Sequence, residues 1–365
     1  MNHAPIEAAA VGAESQSAAL PADTGPFDNL CECRDRAQTS RRGFSNTSTA
    51  NTMDKRKLGQ SGLEVAPLAL GGNVFGWTID EATSYRILDR FVGEGFNLID
   101  TADIYSTWAG KPGISETVIG NWLKRSGKRT EVVIATKVGM EMAPERKGLS
   151  KAYILSEVET SLKRLQTDWI DLYQSHTDDP GTPLEETLGA FAQLVKQGKV
   201  RAIGASNFTV DRLADALRTS EKLNYPRYES LQPHYNLYER VGFEGNLERL
   251  CQEKRLGVIT YFSLASGFLT GKYRSENDLS KSQRGQGIKK YLNKRGFRIL
   301  AALDEVAFRY RANPAQVALA WLIAQPAVTA PIASATSIAQ LGELIAATRL
   351  RLDGEAVDRL NRASA

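Results

Sequence analysis

The chain has 365 residues, 42% hydrophobic and 24% charged, enough apolar material for a large core and too much for a disordered or collagen-like polymer. Its 46 Lys and Arg against 42 Asp and Glu leave a net charge of +4 with no dense basic run, which argues against nucleic-acid and membrane-surface partners. Three cysteines (Cys31, Cys33, Cys251) and three histidines (His3, His176, His234) supply neither a disulfide framework nor a clustered metal site, and they favour a reducing, cytoplasmic setting.

Residues 1–52 are rich in Ala, Ser, Thr and Asn, lack helical or strand periodicity, and read as a disordered extension. Within them Ser40-Arg41-Arg42-Gly43-Phe44 resembles the start of a twin-arginine export signal. The following stretch, Ser45 to Lys57, is polar where such a signal needs apolar residues, so export is rejected. Six acidic residues up to Asp35 also argue against an organelle transit peptide. Residues 53–365 read as one folded domain, with Met53 a candidate alternative start. No apolar run reaches the roughly 18 residues of a membrane span.

From Lys57 onward, short apolar runs alternate with longer amphipathic stretches, as βα units do. Strands are expected at Val65–Leu70, Asn97–Asp100, Val132–Lys137, Ile170–Ser175, Ala202–Ala205, Ser230–Gln232, Val258–Tyr261 and Val328–Ile332. Asp80, Ser150 and the Pro183-Leu184-Glu185-Glu186 run open helices, and Gly95, Gly198 and Gly257 are placed to end them in a left-handed residue. Extra helices are expected at Gly296–Arg311 and Asp353–Ala363. Eight βα repeats predict a single (β/α)8 TIM barrel with extra helices. A doubly wound sheet is the runner-up, but the turn Gly71-Gly72-Asn73-Val74-Phe75-Gly76 does not carry the glycine fingerprint of its nucleotide site. Gly267 to Tyr273 likewise fails the spacing of a phosphate-binding P-loop.

In such a barrel the chemistry gathers where the strands end. The second expected strand ends in Asp100, with Tyr105 five residues on; the third ends in Lys137 and the fourth runs into His176. Singly, each has a bland explanation: a solvated strand end, a loop cap, a packed ring, a satisfied histidine. Together they place four groups of complementary acid-base character on one rim. Tyr105 is a proton donor at neutral pH, and a neighbouring Lys137 ammonium is expected to draw its pKa down toward the working range. Asp100 supplies the counter-charge a buried ammonium needs, and His176 donates to a substrate oxygen. The set delivers a proton to a carbonyl oxygen as negative charge grows on it. No side chain supplies hydride, so a nicotinamide cofactor is implied.

These residues resemble the aldo-keto reductases. The likeness rests on Asp-Thr-Ala-x-x-Tyr at 100–105, Thr136-Lys137, His176, Gly-x-Ser-Asn at 204–207, Gln232 with Tyr235-Asn236, and Leu-Ala-x-Gly-x-Leu-Thr-Gly-Lys-Tyr at 264–273. It covers residues 55 to 362 and is nearest the bacterial and potassium-channel-beta-like branch. The resemblance implies a barrel that binds NADPH (NADP+) without a Rossmann domain and reduces aldehydes or ketones, with NADH not excluded. It implies Tyr105 as general acid, Lys137 and Asp100 as its tuners, and His176 as the donor that orients a small-molecule carbonyl substrate. Ser206, Asn207 and Gln232 would hold the carboxamide, and Tyr261 would stack on the nicotinamide. Phe262 and Ser263 would line the same turn, and Gly72, Asn73 and Ser334 belong to the implied cofactor set, as does Asp100. Leu264, Gly267, Leu269 and Lys272 would follow the pyrophosphate; Thr336, Gln340 and Glu343 would meet the adenosine end.

The chain departs from the family pattern in places. Ser106 stands where relatives often have Gly, Phe262-Ser263 where Ser-Pro is common, Leu344 where Asn is common, and Ser337 where a basic residue is frequent. Arg284 and Lys272 are then the candidates for a 2′-phosphate, which favours NADPH. The segment Arg274 to Arg295 is read either as a solvated loop or as a belt over the cofactor. Phe75, Trp77 and Trp108 are candidate walls of an apolar substrate pocket. A redox-sensing cofactor-binding module with slow turnover, like the channel beta subunits, is the alternative reading. A short-chain dehydrogenase is set aside because its Tyr-x-x-x-Lys pair is missing, and homo-oligomerisation stays open.

Overall fold

The computed structural model describes residues 54–283 and 285–365; the expectations for 1–52, Met53 and Arg284 lie outside the described residues. The chain begins with a two-residue hairpin, β1 (Arg56–Lys57) against β2 (Glu64–Val65). Eight parallel strands then close on themselves: β3 (Ala69–Gly71), β4 (Leu98–Asp100), β5 (Val133–Val138), β6 (Ile170–Ser175), β7 (Val200–Ser206), β8 (Tyr228–Gln232), β9 (Gly257–Thr260) and β10 (Val328–Ala333). β10 pairs with both β9 and β3, which completes the barrel. All eight expected strands are present.

The expected first strand, Val65–Leu70, divides in two. Val65 belongs to the hairpin and only Ala69–Gly71 enters the barrel. Pro67 lies between them at a bend; lacking an N–H, it cannot continue a sheet ladder.

The helices between strands are α1 (Glu81–Gly93), α2 (Ile114–Ser126), α3 (Lys151–Leu165), α4 (Leu184–Lys196), α5 (Val210–Leu223) and α6 (Asn246–Glu253). They are followed by α7 (Lys294–Tyr310), α8 (Pro314–Ala324), α9 (Ile338–Ala347) and α10 (Gly354–Ser364). Asp80 and Ser150 cap α1 and α3 by accepting the amides of Thr83 and Tyr153, while Pro183 precedes α4. α7 and α10 are the two extra helices the sequence suggests. Gly95 and Gly198 end their helices with positive φ, as expected, but Gly257 does not. There Arg255 takes the left-handed turn, and Gly257 starts β9 instead. A Cβ on Gly257 would lie 2.5 Å from Leu58 Cδ1 and 2.9 Å from the Gly59 amide, so its bareness lets the hairpin press against the barrel floor.

Two apolar layers result. One fills the space between strands and helices. The other fills the barrel itself, with Leu58, Leu63 and Val65 of the hairpin packed on inward residues such as Ala69, Leu98, Leu172 and Ile259. Arg56 fastens this plug by donating to the carbonyls of Ile323, Val328 and Thr329, and Asn97 bridges Glu64 O and Ala66 N. The described residues of the segment 274–295 make short helical turns that bury Leu279, Ile288 and Tyr291, so they are not a wholly solvated loop. No described helix is long and apolar enough to cross a membrane.

Candidate active site

Side chains alternate along a strand, and in a closed barrel every second one points inward. Leu98 lies inside β4, so Asp100 follows it in; Val133 and Ala135 lie inside β5, so Lys137 does too. The same period carries Leu172 to Gln174 on β6, Ala202 to Ser206 on β7 and Ser230 to Gln232 on β8. The upper layer of the barrel is therefore polar where the lower layers are aliphatic. Pairing sets the heights: Asp100 lies beside Ala135, Lys137 beside Gln174, and Ser206 beside Gln232.

The four residues singled out by their place in the chain meet in space. Lys137 is fully buried, and its Nζ donates to Asp100 Oδ2, Tyr105 Oη and Thr101 O, each at 2.8 Å. Tyr105 Oη donates to Asp100 Oδ2 at 3.2 Å, and the carboxylate's other oxygen accepts from Gln232 Nε2 at 2.9 Å. His176 faces the Tyr105 ring edge-on, with centroids 6.1 Å apart, and its Nδ1 has no hydrogen-bond partner among the described residues. Burial and then the Lys137 charge hold His176 well below its ordinary pKa, so the imidazole is neutral.

The expected lowering of the Tyr105 pKa is not what this geometry gives. Burial first, then the Asp100 carboxylate beside it, push the phenol up, outweighing the ammonium. Tyr105 thus keeps its proton at neutral pH. Lys137 is drawn down by burial, which Asp100 opposes.

Above the tetrad opens a cavity of about 960 Å³ that reaches from Tyr105 to α9. Asn73, Asp100, Tyr105, Trp108 and His176 line its inner end. Ser206, Asn207, Gln232 and Tyr261 form its floor, joined by bonds from Tyr261 Oη to Asn207 Oδ1 (2.7 Å), Asn207 Nδ2 to His176 O (2.9 Å) and Ser206 Oγ to Gln232 O (2.9 Å). Phe262, Ser263, Leu264, Gly267 and Lys272 follow; Ser334, whose hydroxyl donates to Asn73 Oδ1 at 2.6 Å, lies beside the inner end, and Thr336, Gln340 and Glu343 close the far end. Phe262, Ala265, Ser266 and Gly267 all have positive φ, a strained turn of the kind found at ligand clamps. Among the described residues Lys272 forms no ion pair; its ammonium lies over the Tyr273 ring.

Besides the fully buried Lys137, four described candidate residues do not line the cavity. Phe75 is fully buried, turned into the layer beneath the helices because its turn bridges back to Ile79. Trp77 meets Trp108 edge-on at 5.3 Å and so supports the wall from behind; Trp108, half exposed, is the wall. Leu269 is core, and Gly72 packs on Ser115, whose hydroxyl donates to its carbonyl. Other wall residues went unread in the sequence: Met140, Thr177, Ser282, Gln283 and Asn313. Thr177, directly after His176 at a strand end, carried a positional signal; Met140 and Gln283 carried none. His234 was also missed. It stacks on Tyr261 at 5.1 Å and props that ring from behind.

The profile of the Aldo/keto reductase family matches residues 67–365. The chain is similar to "Uncharacterized oxidoreductase YrpG" of Bacillus subtilis (strain 168), at 37% identity over 85% of this chain and 95% of the relative. It is also similar to "Aldo-keto reductase YhdN" of the same organism (34%, covering 83% and 91%) and to "Protein tas" of Escherichia coli (strain K12) (34%, covering 82% and 94%).

Proposed function

Because the chain belongs to the Aldo/keto reductase family, whose members are NAD(P)H-dependent oxidoreductases acting on carbonyls, we propose that it reduces aldehydes or ketones to alcohols with NADPH, Tyr105 acting as general acid. The single observation that supports this most is the contact of the buried Lys137 ammonium with both the phenol and the carboxylate, at the base of a long cavity. The residues fit the cofactor: the cavity offers an amide-bearing floor, a turn with four positive-φ residues, and in Lys272 a cation with no ion pair among the described residues. Ser206, Asn207 and Gln232 would hold the carboxamide, Lys272 a phosphate, and Thr336, Gln340 and Glu343 the adenosine. When bound, the reduced nicotinamide supplies hydride to the carbonyl carbon.

The protein's part is the proton. Tyr105 Oη gives its hydrogen to the carbonyl oxygen as the alkoxide forms, and Lys137 at 2.8 Å meets the phenolate left behind. Asp100 fixes the ammonium, and Gln232 fixes Asp100. Neutral His176 offers a ring N–H to the same carbonyl oxygen and sets which atom faces Tyr105. Trp108, Met140 and half-exposed Phe262 surround the mouth, which suits an apolar, aromatic or short-chain aldehyde. A cytoplasmic setting accords with the sparse cysteines.

A test uses nitrobenzaldehyde with NADPH and NADH side by side. NADPH oxidation is expected to outpace NADH oxidation. Tyr105→Phe is expected to lower turnover about 10²–10⁴-fold while quenching of protein fluorescence by NADPH persists. Full turnover in that variant would remove Tyr105 as the acid.

A further inference from the structure

Six large apolar side chains stand exposed among the described residues, and two of them, Trp108 and Phe262, line the cavity. Exposed apolar side chains scattered singly are ordinary, and Val241, Phe297, Phe308 and Ile338, which do not line it, are of that kind. Phe262 belongs with Tyr261, whose ring it meets edge-on at 5.2 Å on the cofactor floor. Trp108 is different. It is 52% exposed three residues after the proposed acid, and no step of the proton transfer uses its indole.

Two loops hold that indole in place. Trp108 stands in the short turn Thr107–Ala109, between Ser106 at φ 73° and Gly110 at φ 70°, both left-handed. The turn is closed by bonds from Gly110 N to Thr107 O (2.8 Å), Lys111 N to Ser106 O (3.1 Å) and Thr107 Oγ1 to Ile104 O (2.6 Å). The Ser106 hydroxyl ties it to the Phe75 carbonyl at 3.3 Å, in the loop that also carries Trp77. From that loop Trp77 meets the Trp108 ring edge-on, with centroids 5.3 Å apart. A tryptophan half in solvent is thus fixed before any ligand arrives, and a wall fixed in advance loses little freedom on binding. Backbone held in the left-handed region by its surroundings is also a mark of functional sites.

The rings form a series toward the acid: Trp108 lies 6.2 Å from the Tyr105 ring, and Tyr105 lies 6.1 Å from His176. A carbonyl oxygen held by Tyr105 and His176 brings the group on its carbon toward the next ring, Trp108. We propose that the substrate is a neutral aromatic aldehyde or ketone whose ring packs on the Trp108 indole, and that Trp108 selects it over aliphatic carbonyl compounds of the same size. This rests on the reading of Tyr105 as the acid that faces the carbonyl oxygen. Aromatic pairs in offset or edge-on contact gain more than their buried area supplies, and a saturated ring of equal size does not share that gain. Charge sets the other limit. Among the described residues that line the cavity, Asp100 is paired with Lys137, His176 is neutral, and Lys272 and Glu343 lie along the proposed cofactor path. That leaves no cation among them for a substrate carboxylate or phosphate.

Benzaldehyde and cyclohexanecarbaldehyde, equal in carbon count, test the selection with NADPH in the parent, in Trp108→Leu and in Trp108→Phe. Their intrinsic reactivities differ but cancel when the kcat/KM ratio of a variant is divided by that of the parent. The ratio is expected to fall about three- to tenfold in Trp108→Leu and to stay within about twofold of the parent in Trp108→Phe, which restores a ring. An unchanged ratio in Trp108→Leu overturns the proposal. So does an equal loss with both aldehydes, which would make Trp108 a structural part of its turn, or a Phe variant that falls as far as the Leu variant. A parent that prefers 4-formylbenzoate to its methyl ester overturns the neutral-substrate part. A second readout needs no turnover: calorimetry of benzyl alcohol and cyclohexylmethanol on the NADPH-bound protein is expected to show the same loss of preference in Trp108→Leu. Full turnover in Tyr105→Phe would instead sink the acid assignment, and the calorimetric ratio would still judge Trp108.

Discussion

The two ends of this barrel are built by opposite rules. The lower end is shut by the β1–β2 hairpin, where Leu58, Leu63 and Val65 meet small and branched side chains. The upper end joins a carboxylate, an ammonium and a phenol in one hydrogen-bonded group, with an imidazole edge-on to the phenol ring. Both layers use the same two-residue alternation along the same strands. What differs is chemistry per layer: the floor contributes burial free energy, whereas the rim holds charges whose removal from water is unfavourable unless every partner is in place. Stability and activity are therefore separable by height in the barrel.

The largest break in that comparison comes from the rim. Lys137→Met leaves the buried Asp100 without its cation, and removal of one partner from a buried pair costs about 3–5 kcal/mol. On the proposed mechanism the same ammonium stabilises the phenolate, so turnover is expected to fall with stability. Chemical denaturation and NADPH oxidation measured on one preparation check both. A normal denaturation midpoint would mean that Asp100 finds compensation elsewhere. At the floor, Leu58→Ala empties part of the inner core and is expected to cost about 2–5 kcal/mol, with kcat unchanged below the transition. A loss of kcat in the folded variant would show that the two ends are coupled after all.

The sequence disclosed the rim better than the floor, for a physical reason. Asp100, Lys137 and His176 stand at the ends of apolar runs, and that position alone brings them together once the strands are parallel and closed. The hairpin has strands of two residues each, too short for alternation to register, so Val65 merged with the run that follows Pro67. Gly257 looked like a helix terminator because a helix does end just before it; its function, a close approach to Leu58, depends on a segment nearly 200 residues earlier in the chain. Phe75 and Trp77 could not be sorted from Trp108 because the turns that carry them set side-chain direction, and no period applies there. Asp103 occupied an unremarked position in the 100–105 run. Only the burial of both its oxygens, without a hydrogen-bond partner among the described residues, sets it apart.

Ser106 offers the smallest and sharpest test of how the rim tolerates strain. The position follows Tyr105, where relatives often have glycine, and here serine adopts φ 73° and ψ 10°. A side chain in this left-handed region costs about 1–2 kcal/mol. Ser106 offsets part of that because its hydroxyl donates to the Phe75 carbonyl at 3.3 Å, a bond worth about 0.5–1.5 kcal/mol. Ser106→Ala keeps the strain and loses the bond, so it is expected to destabilise by about 1 kcal/mol. Ser106→Gly loses both, and the added freedom of its unfolded chain takes back part of the relief, leaving it above the alanine variant by about 1 kcal/mol. Denaturant midpoints of the three proteins give the order. Alanine above glycine would mean that residue 106 is not held in the left-handed region, and that the turn presenting Tyr105 to its ammonium is built differently.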